Sequence, residues 1–210
     1  AYPHNGYLIF SPSYSHSHRS SFFTEKTTPG FEYKPFFMYG LQLGFGRHLS
    51  KHIDYRHINL LQVSGIYEFY KLDGSMTRTG RYTHTFSDDV VFKIIMNRFR
   101  INIFCGMVYG FHAQKITEFT AFPNLINHRK DMDVFWGIKG GLGLDVLISK
   151  KWAVHTEFSY YNLTKSDRYK HIYRENNGEK KTMLEKNYAL RELTSPFSFI
   201  NLTIGLNFSF

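Results

Sequence analysis

The stretch Asn201-Leu202-Thr203-Ile204-Gly205-Leu206-Asn207-Phe208-Ser209-Phe210 decides how this chain is read. Its even positions are Leu, Ile, Leu, Phe and Phe, and its odd positions Asn, Thr, Gly, Asn and Ser. Successive side chains of a strand point to opposite sides, so this alternation makes a strand with one apolar and one polar face. A soluble sandwich or a lipocalin-like barrel also contains amphipathic strands, but those usually turn Lys, Glu and Thr to water. Here the polar face is small, which is the inside-out pattern of a membrane barrel. Leu202, Ile204, Leu206, Phe208 and Phe210 are therefore expected to face lipid, because a one-residue slip would place all five in the lumen.

The same pattern recurs upstream. Phe37, Tyr39, Leu41, Leu43 and Phe45 share one face of Phe37–Phe45; Trp136, Ile138, Leu142, Leu144 and Val146 share one face of Val134–Val146. Ile101–Phe111 and Trp152–Tyr161 alternate similarly, and Tyr7–Tyr14, Leu61–Phe69 and Val90–Met96 do so more weakly. With the C-terminal segment this predicts eight strands in a single all-β domain over residues 1–210. Short connections are expected near Arg47–Asp54, Asn97–Arg100 and Ile148–Lys151, and long ones over residues 19–35, 71–88, 113–133 and 164–195. Short turns on one side and long loops on the other are the habit of an outer-membrane antiparallel barrel, with the short side and both termini periplasmic and the long loops extracellular. An internal echo supports the hairpins: Leu43–Ile53 resembles Leu142–Trp152, each running strand, Ser-Lys turn, strand. Convergence of similar turns explains it about as well as duplication.

Composition removes several classes. Mean hydropathy is −0.34 and no run of about 18 or more apolar residues exists to cross a bilayer as a helix. Aromatics at 18% argue against disorder. The lone Cys105 excludes an intramolecular disulfide and any CxxC site. The opening AYPHNGY has no apolar leader, so a secretory signal is expected to be absent or already removed, and Ala1 gives no expectation of a lipid anchor. Net charge is +9, but the aromatics sit at strand parity rather than interleaved with basic residues, so nucleic acid is not an expected partner. The cations collect in the last long segment, where Lys165, Arg168, Lys170, Lys180 and Lys181 suit the phosphates of lipopolysaccharide.

Val90-Val91-Phe92-Lys93-Ile94-Ile95 followed by Ile101-Asn102-Ile103-Phe104-Cys105-Gly106, the Leu-Ser-Lys turn and the terminal Phe210 resemble the PorT-like outer-membrane β-barrel family of Bacteroidota. That resemblance implies outer-membrane localisation, insertion by the barrel-assembly machinery with Phe210 as the recognised end, and association with another envelope complex such as a secretion, gliding or barrel-assembly machine.

Catalysis has candidates. Acyl transfer needs a serine and a histidine in hydrogen-bond reach with a carboxylate behind them, and His16, Ser17, His18 and Ser20, or His155, Glu157 and Ser159, could supply these. The second set does not match the pattern expected of a lipid A deacylase, and interior polar packing is the better explanation. Asp88-Asp89 alone does not make a paired-carboxylate protease. His16 with His18, and His48, His52 and His57, have no cysteine or carboxylate at ligand spacing, so no metal or cofactor is expected. Glu68, Lys93, Lys139, Asp145 and Glu157 have inward parity, and an eight-stranded barrel is just wide enough to be filled by side chains. These charges are expected to pair across a plugged lumen. The expected function is thus a non-enzymatic outer-membrane barrel bound to another envelope component, with a lipid A-modifying enzyme as the alternative and a narrow channel as the weaker one.

Overall fold

The computed structural model describes residues 6–19, 37–64, 67–70, 76–120, 125–176, 179–186 and 196–210. The described residues form ten strands: β1 (Gly6–Arg19), β2 (Phe37–His48), β3 (Ile53–Ser64), β4 (Tyr67–Tyr70), β5 (Met76–Met96), β6 (Phe99–Thr120), β7 (Leu125–Leu147), β8 (Trp152–Asn176), β9 (Glu179–Lys186) and β10 (Pro196–Ser209). Each strand pairs antiparallel with its neighbours in the order β1-β2-β3-β5-β6-β7-β8, and β10 closes the ring by pairing both β8 and β1. The barrel therefore has eight staves. β4 continues the line of β3 along β5, and β9 folds back on the far part of β8. Closure leaves the ring without a free edge, which a strand structure in hydrocarbon requires.

The short turns gather at one end. Leu147 N–H reaches Arg98 O, Lys93 N–H reaches His52 O, and Ser209 N–H reaches Lys151 O, while Phe210 N–H reaches Gly6 O. Asn97 adopts a left-handed conformation (φ 49°) between paired Met96 and Phe99, as a two-residue hairpin demands. The two Ser-Lys turns share one geometry. In each, the serine Oγ accepts two backbone N–H groups, at 3.2 and 3.1 Å for Ser50 and at 3.3 and 3.1 Å for Ser149. The likeness of the two segments is thus a likeness of turn chemistry.

Strand extents differ from the sequence expectation. The third stave begins at Ile53, not Leu61, so Asp54 and Arg56 belong to it. The expected loops 71–88, 113–133 and 164–195 are largely strand: β5 starts at Met76, β6 and β7 stay paired out to Thr120 and Leu125, and β8 runs to Asn176 before β9. Polar residues on both faces read as loop, yet beyond an apolar layer neither face need be apolar, and ladder hydrogen bonds alone hold the backbone. Of the expected loop 19–35, only Arg19 is described, at the end of β1. β5, β6, β7 and β8 are 21, 22, 23 and 25 residues long, whereas β1, β2, β3 and β10 have 14, 12, 12 and 14. Since about 9–11 tilted residues cross a bilayer, one side of the barrel rises well beyond it, away from the short turns.

Candidate functional site

Inward parity carries charge to the centre of the barrel. Arg56 on β3 is fully buried and donates from Nε and Nη2 to Asp89 Oδ2 at 3.0 and 2.8 Å, and from Nη1 to Glu157 Oε2 at 2.6 Å. Lys139 Nζ on β7 lies 2.9 Å from the same Asp89 oxygen. Phe104 lies beneath both cations, with Arg56 Cζ 4.5 Å and Lys139 Nζ 5.4 Å from its ring centroid. Gly106 makes the room: a Cβ there would sit 2.3 Å from Asp89 Oδ1. Toward the short turns a second group forms around Asp145, which receives His155 Nδ1 at 2.6 Å and the Asn102 and Asn207 amides at 3.0 Å each. His155 Nε2 turns to Glu157 Oε2 at 3.4 Å and so links the two groups. A third set joins Lys93, His48 and Asp54.

Charges buried this deeply persist only when paired, because desolvation outweighs a single weak contact. Beyond the charges, Gln62, Ser15 and Asn201 form a neutral layer, with Gln62 Nε2 donating to Ser15 Oγ at 2.6 Å and Ser15 Oγ to Asn201 Oδ1 at 2.8 Å. Beside that layer, Met38, Leu60, Val108, Phe135, Tyr161, Leu163 and Phe199 pack as a buried apolar cluster that plugs the interior, Tyr161 and Phe199 stacked at 4.3 Å. At the short-turn end, Tyr7, Ile9 and Ile58 pack together, and the Tyr7 ring occupies the space that a Cβ on Gly46 would take. A cavity of about 10 Å³ remains beside Arg56, Asp145 and His155, room for about one water.

Four of the five expected interior charges, Lys93, Lys139, Asp145 and Glu157, lie in this lumen. Glu68 lies on β4 opposite Arg78, and its side chain is outside the described residues. The partners Asp54, Arg56 and Asp89 are not evident in the sequence, because the apolar alternation is clear only from Leu61 in the third strand and from Val90 in β5. Extending period-two parity back from Leu60 through Ile58 to Arg56 and Asp54 would have found two of them.

The catalytic candidates separate. His155 and Glu157 are part of the charged network, with both histidine nitrogens turned to carboxylates, and Ser159 Oγ donates to Asn201 O at 3.5 Å. The imidazole is therefore not placed as the base of Ser159. His16 packs on Phe37, while the side chains of Ser17 and His18, and all of Ser20, are outside the described residues. Asp88 and Asp89 point to opposite faces of β5. His48, His52 and His57 go to Asp54, the Lys93 carbonyl and Asp88 respectively. Among the described residues no three His, Cys, Asp or Glu side chains gather as metal ligands.

The outer face is an apolar wall. Leu8, Phe10, Leu43, Phe45, Phe92, Ile94, Ile103, Ile138, Leu142, Leu144 and Phe158 are all exposed. On β10, Leu202, Ile204 and Leu206 are exposed and Phe208 is partly so, and Phe210 just past its end is exposed, whereas Asn201, Thr203 and Asn207 are buried. Tyr14, Tyr39, Tyr109, Trp136 and Tyr160 lie on the wall toward the far end, Trp152 and Phe210 toward the short turns. Such aromatic girdles bracket the hydrocarbon of a membrane barrel. Lys165, Arg168 and Lys170 lie on the far part of β8, and Lys180 and Lys181 on β9; their side chains are outside the described residues.

A closed eight-stranded antiparallel ring with a charged, filled lumen and an apolar wall defines an integral membrane barrel of the outer-membrane type. Comparison with solved structures agrees on the fold. A major outer membrane protein from Thermus thermophilus superposes with a TM-score of 0.54 at 13% identity, covering 97% of this chain and 99% of that one. OprG from Pseudomonas aeruginosa gives 0.49 at 10% identity over 99% and 97% of the two chains, and Neisserial surface protein A 0.48 at 6% over 98% and 97%. No family model matches the chain, and no curated protein matches it in sequence.

Proposed function

We propose that this protein is a non-enzymatic outer-membrane barrel that serves as an accessory or structural subunit, binding another envelope component through its tall side and its wall. The observation that carries this reading is the lumen. Its charges are paired with one another and capped by an apolar plug, so the inside offers a ligand or an ion little space, and the outer surfaces remain. The short turns and the paired ends Gly6 and Phe210 then face the periplasm, Phe210 closes the strand read by the barrel-assembly machinery, and β5 to β9 rise outside the cell. Lys165, Arg168, Lys170, Lys180 and Lys181 would stand beside lipopolysaccharide phosphates. The PorT-like resemblance favours a secretion, gliding or barrel-assembly complex of Bacteroidota as the partner.

Cross-linking in native outer membranes, followed by purification and mass spectrometry, tests this. One envelope protein should be recovered in fixed proportion with the wild type and lost when residues 165–186 are replaced by a short turn. Recovery of the barrel alone, together with altered lipid A in a deletion strain, would replace this reading with the lipid A enzyme.

A further inference from the structure

Where the apolar wall ends on the tall side, the outward face changes character abruptly. On β6 the outward positions from Ile101 to Ala113 carry no charge, and neither do those on β7 from Val146 back to Met132. Tyr109 and Trp136, of the far aromatic girdle, face each other across these two strands, and so do Ala113 and Met132. The next outward pair is Lys115 opposite Lys130. Residues facing each other across an antiparallel ladder share one face, and like charges placed so repel. The neighbours do not relieve them. Gly80 stands beside Lys115 and His171 beside Lys130, and none of the diagonal positions around the pair is a carboxylate. The face is also open there: Lys115 is exposed, and a Cβ added at Gly80 would meet nothing within 4 Å.

The other cations of this end are placed differently. Ser166 forms a bulge in β8, since Phe135 pairs with Lys165 and Val134 with Asp167, and the alternation of β8 flips at that point. By register, Lys165, Arg168, Lys170 and Lys181 fall on the face that continues the lumen, and of these late cations Lys180 shares the outward face. Arg168 stands opposite Asp133, Lys170 between Asp131 and Glu185, and Lys180 opposite Glu175. Those three have a carboxylate across the ladder, whereas Lys115 and Lys130 have each other.

We propose that Lys115 and Lys130 together seat a phosphate of an anionic glycolipid of the outer leaflet. The inference rests on the orientation proposed above, with the tall side outside the cell, and moves the lipopolysaccharide contact to the outward faces of β6 and β7. The acyl chains of such a lipid lie along the uncharged wall, and its phosphate meets the first cations above it. A phosphate accepts from both ammonium groups, which replaces their repulsion with charge-assisted hydrogen bonds. An acidic protein would supply the anion without using the uncharged wall directly below.

Full-length protein in micelles of uncharged detergent, titrated with fluorescent bisphosphorylated lipid A, tests this. Lys115→Gln and Lys130→Gln should each weaken binding about tenfold, the scale of one charge-assisted hydrogen bond. Arg129, next to Lys130 in the chain, falls by register on the other face, so Arg129→Gln removes the same charge and should leave binding unchanged. Dephosphorylated lipid A should bind the wild type as weakly as the phosphorylated form binds the double variant, and millimolar inorganic phosphate should not compete. Heat-modifiable mobility confirms that each variant is a folded barrel. An equal loss with Arg129→Gln would reduce the attraction to net charge. Indifference to both lysine variants, or equal affinity for dephosphorylated lipid A, would remove the phosphate seat and leave the pair to an acidic protein. Competition by inorganic phosphate would assign the seat to the free ion. Each of these overturns the proposal. Lys115 and Lys130 lie outside residues 165–186, so the cross-linking result that decides the envelope partner stands apart from this one.

Discussion

Asp88 and Asp89 are neighbours in sequence and opposites in environment. Asp89 points into the lumen, is fully buried, and meets two nitrogens of Arg56 and the ammonium of Lys139. Asp88 points to the wall, stays about two-fifths exposed, and among the described residues meets Tyr55 and His57 from the adjoining strand. A closed barrel brings every strand within reach of its axis, so an inward charge can draw partners from across the ring: Arg56 on β3 reaches Glu157 on β8. An outward charge can reach only the strand beside it. The lumen charges therefore pair across the ring, and the wall carboxylate pairs with the neighbouring strand.

The strongest way to break that contrast is to remove a partner inside. Arg56→Met leaves Asp89 and Glu157 with less compensation, and unfolding in urea, followed by heat-modifiable mobility, should register a loss of about 3–5 kcal/mol. A loss near zero would mean that the lumen is wet enough to solvate its carboxylates. Adding a charge outside comes next. Ile204 is exposed on the wall of β10, and Ile204→Arg should cost about 2–4 kcal/mol if that face meets hydrocarbon. An effect within experimental error would place Ile204 in water.

Smaller effects sharpen the comparison. Ser159→Ala deletes one interior hydroxyl contact and should cost about 1 kcal/mol or less, with no change in the lipid A mass spectrum. The same spectrum should be unchanged for Ser17→Ala and Ser20→Ala. A gained or lost acyl chain in any one of them would identify a nucleophile. For conduction the expected effect is nil: wild-type protein in planar bilayers should give no stable single-channel steps, because the charges and the plug fill the lumen. Regular open-channel steps would promote the channel reading.

Much of the barrel was legible because a membrane wall imposes a strict rule on every second residue. Leu202 to Phe210, Phe37 to Phe45 and Ile138 to Val146 announce their faces without reference to any neighbour, and the short turns announce themselves by Ser-Lys and Asn-Arg. Legibility failed where the rule lapses. Beyond the bilayer, β5 to β8 continue as paired strands whose alternation carries no hydrophobic contrast, so Met76–Asp88 and Thr164–Asn176 read as loop. In β3 the outward face is itself partly polar, with His57 and Asn59 on the wall, and that blurred the parity that would have placed Asp54 and Arg56 inside.

The candidate sites divide the same way. Parity alone turned Lys93, Lys139, Asp145 and Glu157 inward. It could not tell which carboxylate meets which cation, since Arg56 and Glu157 are 101 residues apart and Asn59 meets His84 only through the register of β3 on β5. The alternation of side chains is a local property of an extended backbone, so the amino-acid sequence by itself determined a strand-built barrel with its apolar face outward and small polar residues within. Pairing is a property of register and closure. Only the tertiary structure decided that β10 meets β8 and β1, that Asp89 rather than Asp88 enters the charged lumen, and that a polar patch stands in the wall, because those depend on which strands lie side by side and how far each has slid along the next.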